Sequence, residues 1–144
     1  YDVNARTCFT QEEQRTMMTL WCMMSSPLMI GAHLPNSDEF TFSLLQNGDV
    51  LEILTKGFCA HPLKRDAEEA LWLKPMTDGR GVYLAAFNLS DEKREISVSL
   101  PEVYPAETAT VRELWTGKEN QAITKVTEYL NPHDAAVWRI LARV

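Results

Sequence analysis

Three histidines and three cysteines are the side chains of this sequence best suited to hold a metal or act as a nucleophile, and their spacing speaks against both. His33, His61 and His133 stand far apart, and none has a second ligand-type residue at i+4, the spacing that puts two ligands on one helix face. Cys8, Cys22 and Cys59 are odd in number and equally dispersed, so neither a disulfide framework nor a thiolate metal site is expected, and Cys22 reads as core packing. No metal and no cofactor is predicted. Adjacent carboxylates occur at Glu12-Glu13, Glu68-Glu69 and Asp91-Glu92, and paired carboxyl groups are what general acid/base work requires. Each pair lies at a helix start or a turn, where capping and solvated charge are the ordinary roles. Trp72, Trp115, Trp138, Tyr83 and Tyr129 could form a stacking platform for sugar rings, yet each stands in a strand among aliphatic residues, the setting of a β core. Asn88-Leu89-Ser90 is a formal glycosylation sequon to which no role is assigned.

The elements that must position these residues change character near Phe58. Thr10 with Glu13 three places on is a capping box, so a helix starts there. Met17, Leu20, Trp21 and Met24 repeat at i, i+3, i+4 and i+7, and Met18, Cys22 and Met23 widen the stripe beyond one face. Such a helix needs cover on two sides. Pro27 ends it, and Leu28-Met29-Ile30-Gly31 reads as a short strand without alternation, the pattern of a parallel strand buried on both faces. Asn36 with Glu39 at its third position predicts a second helix that carries Phe40, Leu44 and Leu45 on one face and stops at Asn47-Gly48. A segment with Val50, Leu51, Ile53 and Leu54 follows and ends at Gly57. Helix, buried strand, helix is the rhythm of an α/β barrel or a doubly wound sheet, whose partner strands would lie upstream.

Beyond Glu69 the apolar residues space themselves as strands between turn signals: Ala70 to Met76, Val82 to Leu89, Ile96 to Leu100, Thr110 to Trp115, Thr124 to Leu130 and Ala135 to Leu141. Six short strands without a helical pattern imply an antiparallel sandwich. Ile96, Val98 and Leu100 alternate with Ser97 and Ser99, so that strand has one wet face, whereas Val82 to Phe87 is apolar throughout and should be central. Trp138 shares a strand face with Ala136, Ile140 and Ala142, which places its ring inside.

Composition bounds the rest. The 144 residues, 45% hydrophobic and 24% charged, suffice for one globular unit or two small ones but not for the roughly 250 residues of a complete eightfold βα barrel. A net charge of -6 argues against a nucleic acid or an anionic membrane as partner. The longest strongly apolar stretch, Met17 to Ile30, is interrupted by Thr19, Ser25, Ser26 and Pro27 and is too short to span a bilayer. The first residue is Tyr1, with no leader-type segment, so the sequence reads as a piece of something longer. Unpaired cysteines lean toward the cytoplasm without fixing a compartment.

The stretch EEQRTMMTLWCMMSSPLMIGAHL, Glu12 to Leu34, resembles the seventh helix and eighth strand of the barrel in glycoside hydrolase family 27, the α-galactosidase (melibiase) family. YLAAFNLSDE, ATVRELW and NPHDAAVWRI resemble strands and turns of that family's second domain. The resemblance implies an α+β fragment: the helical remnant of a TIM (β/α)8 barrel over residues 1–58, then an antiparallel β-sandwich of Greek-key type over residues 59–144. It implies a retaining enzyme with two catalytic aspartates on the fourth and sixth barrel strands. Both should precede Tyr1. The family's WxDxDM motif is missing, since Asp2 has neither the Trp nor the Met beside it, and no catalytic residue is carried onto this chain.

His33 is the one candidate substrate-binding residue, because it would sit just past the C-terminal end of a barrel strand, at the rim where barrel enzymes place their sites. The alternative is a loop histidine bonded to a neighbouring carbonyl. The family usually carries an acidic residue at this place, and often an Asn-Gln pair where this chain reads Ile53-Leu54-Thr55-Lys56. Two function classes follow. One is the mainly structural C-terminal part of an α-galactosidase-like hydrolase, with the upstream barrel as partner and an α-linked galactoside or related glycan as the parent's substrate. The other is a self-standing sandwich module that binds carbohydrate. On the first reading, the Leu28 to Ile30 edge and the apolar helix face lose their cover, and the chain alone is expected to form a homodimer or to aggregate through residues 1–58.

Overall fold

Thr10 opens the first helix as its capping box requires. In the computed structural model, which describes residues 6–106 and 108–142, the Thr10 hydroxyl accepts from Glu13 N at 3.2 Å and the Glu13 carboxylate accepts from Thr10 N at 2.7 Å. Asp2 lies outside the described residues. Helix α1 runs Gln11–Met23 and buries Met18, Thr19, Cys22 and Met23, while Leu20, Trp21 and Met24 stay exposed. Only half of the wide apolar stripe is covered.

The stretch expected to be a buried strand is different. Residues 26–31 form no strand, Met29 is 88% exposed and Ile30 51%. A strand exists only through a ladder with a neighbour, and no described strand runs beside this one. Leu34–Asn36 makes a single 3₁₀ turn with Pro35 near its start. The next helix, α2 (Glu39–Leu45), is capped by Asp38, whose carboxylate accepts from Thr41 N at 2.7 Å, rather than by Asn36. Asn47 starts a further helix, α3 (Gly48–Lys56), through its side-chain carbonyl on Val50 N at 3.0 Å, so the Asn-Gly pair that stops one helix also opens another.

Among the described residues eight strands follow: β1 (His61–Arg65), β2 (Glu69–Pro75), β3 (Gly81–Asn88), β4 (Arg94–Ser99), β5 (Ala109–Glu113), β6 (Glu119–Ile123), β7 (Lys125–Leu130) and β8 (Ala135–Ala142), with a short helix α4 (Leu100–Val103) after β4. Every pairing is antiparallel. Six strands form one sheet in the order β1-β2-β3-β8-β5-β6, and β4 pairs with β7 in a second. The six strands read from the sequence are present. The two not foreseen, β1 and β6, are the edges of the large sheet, polar and, in β1, broken by Pro62, so neither carries an apolar pattern.

The large sheet is buried on both faces. On one, Leu73, Leu84, Val111, Trp138 and Ile140 meet Ile96, Val98, Val126 and Leu130 of the small sheet. On the other, Tyr83, Ala85, Phe87 and Val137 meet Met18, Cys22, Met23, Val50 and Ile53 from α1 and α3. This three-layer arrangement explains why β3 is buried at every residue and lacks alternation. It also explains Gly81, where a Cβ would overlap the carbonyl oxygen of Ile140 on the neighbouring strand. The β7-to-β8 turn docks onto α1: Arg15 Nε donates to Asp134 Oδ1 at 2.7 Å and Thr16 Oγ1 to the His133 carbonyl at 2.7 Å.

Candidate functional site

His33 is exposed and caps the 3₁₀ turn, its carbonyl accepting from Asn36 N at 3.0 Å. It ends the uncovered segment that leaves α1. That exit is set by three groups. Ser25 holds a left-handed backbone (φ +53°) unusual for a residue with a side chain. Ser26 N donates to Trp21 O at 3.1 Å. Lys74, from β2, donates through Nζ to Cys22 O at 2.8 Å and to Ser25 Oγ at 2.6 Å.

Lys74 is fully buried. Burial pushes its pKa below the ordinary lysine value, with Cys22 and Cys59 acting in the opposite direction. Burial likewise pushes the Cys22 thiol up to about 11, with Lys74 opposing, so Cys22 is an inert packing group as its sequence position implied. The signal for Lys74 was available: one lysine inside the apolar run Ala70 to Met76. Its partners, 49 and 52 residues away along the chain, were not.

A second polar cluster joins α3 to the sheet. Glu52 Oε1 accepts from Tyr83 OH at 3.0 Å and Arg139 at 2.7 Å, and its other oxygen from Lys56 Nζ at 2.9 Å. Burial acts to raise the Glu52 pKa, but these hydrogen bonds outweigh it and hold the carboxyl below its usual range. A cavity of about 400 Å³ opens beside it, lined by Glu52, Lys56, Met76, Arg80, Tyr104 and Arg139. Glu52 is already paired there with both Lys56 and Arg139.

Five of the six paired carboxylates make structural contacts. Glu13 closes the capping box, Glu12 accepts from Asn131 at 3.2 Å, Glu68 pairs with Arg94, Glu69 with Lys64, and Asp91 with His133. The aromatics are divided among layers. Trp138 lies under the small sheet, Tyr83 under the helices, and Trp72 and Trp115 are half-buried, Trp115 donating through Nε1 to Thr19 Oγ1 at 2.9 Å. Tyr129 alone of the five is well exposed, on β7. They do not stand side by side as a stacking platform. Among the described residues no group of three His, Cys, Asp or Glu is placed to hold a metal, and no helix is long and apolar enough to cross a membrane.

These features define an antiparallel β-sandwich domain with helices packed on one face, whose carboxylates described above cap helices and join ion pairs. Residues 66–140 match the family described as the alpha galactosidase C-terminal beta sandwich domain, and the chain belongs to that family. It is 32% identical over 110 residues to alpha-galactosidase D of Emericella nidulans, covering 74% of this chain and 16% of that protein. It is 23% identical to alpha-galactosidase 2 of Arabidopsis thaliana, covering 93% of this chain and 35% of that one. A solved structure of a GH27 β-L-arabinopyranosidase from Geobacillus stearothermophilus superposes with a TM-score of 0.90 at 34% identity, over 97% of this chain and 32% of that chain. The chain thus spans well under half the length of these relatives.

Proposed function

We propose that this chain is the C-terminal part of a retaining glycoside hydrolase acting on an α-galactoside or a sugar of the same shape, with its catalytic aspartates in an upstream barrel. On this reading residues 1–58 complete the barrel, residues 59–144 are the sandwich that braces it, and His33 faces the substrate at the rim. The observation that carries it is the apolar surface of Trp21, Met24, Met29 and Ile30 on one continuous stretch of chain. An exposed run of that size belongs to an interface, and the segment has the uninterrupted apolar character of a strand flanked by neighbours. The names of the Emericella and Geobacillus relatives offer two substrates, an α-galactoside and a β-L-arabinopyranoside. These share one pyranose configuration and differ in a hydroxymethyl group, so both are to be assayed.

The test is hydrolysis of nitrophenyl α-galactoside and nitrophenyl β-L-arabinopyranoside by this chain and by a protein extended upstream through a whole barrel. No turnover is expected from the chain alone, because retaining hydrolysis needs two carboxyl groups about 5–5.5 Å apart and the carboxylates described above are bound elsewhere. The extended protein is expected to cleave one of the two substrates. Turnover by the chain alone would overturn the proposal.

The same uncovered surface leads to a second expectation. In isolation the chain should self-associate through residues 1–58, and replacing Met29 and Ile30 with Ser should restore the monomer. Light scattering that finds the unaltered chain monomeric at high concentration would count against this cover by the barrel.

A further inference from the structure

We infer that Lys74 is a positioning residue: from within the sandwich it pins the exit of α1 and so fixes the segment that carries His33. The consequence for substrate rests on the function proposed above; the pin itself does not. A lysine without exposure is costly to keep charged unless something holds the ammonium, and both oxygen partners of Nζ, Cys22 O and Ser25 Oγ, belong to the α1 exit.

Three further features are arranged around the pin. Helix α1 has no basic residue in its last turn, so Lys74 provides from another element the positive charge that a helix C-terminus favours. Gly57 leaves room for the stem, since a Cβ there would overlap Lys74 Cε. Ser25 carries a positive φ that only glycine adopts freely, and its hydroxyl is the group Lys74 grips. The strained residue and the buried charge hold each other, and the chain leaves the helix in one direction.

The experiment is native-state amide exchange on the chain, comparing Lys74→Met, Ser25→Ala and Ser25→Gly. Lys74→Met keeps the length of the stem and removes the charge, and should raise exchange at the Ser25 and Ser26 amides by about 100-fold while Leu84 and Val137 change by less than about 3-fold. Ser25→Ala should raise it by about 10-fold, and Ser25→Gly by less, because glycine relieves the backbone that the hydroxyl was holding. Unchanged exchange at Ser26, or a rise shared equally by the sheet, would overturn the pin. If Lys74→Met does not fold, Ser25→Ala decides, because it removes one of the two oxygen partners of Nζ, and exchange at Ser26 unchanged in that variant overturns the pin. In the extended enzyme, Lys74→Met should raise KM by about 10-fold with kcat within about 2-fold, as for lost uniform binding, and an unchanged KM would overturn the link to His33. An unaltered extended enzyme silent on both sugars would overturn the proposed function instead, and leave the exchange pattern to judge the pin.

Discussion

Replacing Trp138 with Ala is expected to lower the unfolding free energy by about 3–5 kcal/mol, the usual cost of emptying a buried aromatic site. Trp138 is 4% exposed in β8, between β3 and β5, opposite Leu84 on one side and Glu113 on the other. Its ring lies in the core shared by the two sheets with Ala136, Ile140, Val98 and Val126. Backbone pairing on both sides leaves β8 little freedom to close the gap, so the upper half of the range applies. Tyr129, 60% exposed on β7, supplies the control: its replacement by Ala should change stability by about 0.5 kcal/mol or less. Denaturant unfolding followed by circular dichroism measures both. A Trp138 variant of unchanged stability but reduced affinity for galactosides would revive the carbohydrate-binding module.

The pattern of agreement between sequence and structure has a physical reason. Central elements were legible because burial imposes composition: β3 and β8 are apolar nearly throughout, and β4 alternates where one face is wet. The capping box of α1 was legible because capping is local, involving residues three apart. Edge strands β1 and β6 escaped because an edge need not be apolar. The helix start at Asp38 was missed in favour of Asn36 because both satisfy a cap by type, and the Pro35 turn decides between them. Leu28 to Gly31 shows the opposite error. Its uninterrupted apolar composition suits a strand, but a strand needs a ladder partner, and no described strand runs beside it.

Of the site, His33 could be singled out only through its place in a resemblance; the structure shows it exposed at the start of the 3₁₀ turn. The pin that fixes its segment was not legible, because Lys74, Gly57 and Ser25 meet only through the stacking of α1 and α3 on β2. Long-range polar contacts leave little trace in composition. The lysine within an apolar strand is the exception, since a charge buried there requires a polar partner from elsewhere in the chain.

Asn88→Asp is expected to cost about 3–5 kcal/mol at neutral pH, as an uncompensated buried charge does. Asn88 ends β3 with 1% exposure. Its amide nitrogen donates to the carbonyls of Glu92 at 2.7 Å, Asn131 at 2.9 Å and Leu130 at 3.3 Å, and its oxygen accepts from Ser90 N at 3.0 Å and Ser90 Oγ at 2.8 Å. One side chain thus ties the β3-to-β4 turn to the end of β7. With both amide hydrogens committed and the group buried, the Asn88-Leu89-Ser90 sequon is closed to glycosylation in the folded chain. Aspartate preserves the shape and turns an oxygen toward three carbonyls, so repulsion replaces donation. The substituted carboxyl would have its pKa raised by folding, because only the protonated form can donate. A raised carboxyl pKa means that the penalty is absent below the unfolded value near 3.9 and grows as pH rises above it, so the gap between Asn88→Asp and the unaltered chain should narrow toward about pH 4. Asn88→Ala, which leaves the carbonyls unpaired but adds no charge, should cost about 2–3 kcal/mol with no such pH dependence. Urea unfolding of the three proteins at about pH 4, where most of the penalty is gone, and at about pH 7, where it is present, separates these outcomes. An Asn88→Asp variant as stable as Asn88→Ala at neutral pH would mean that water reaches the turn and the network does not hold it.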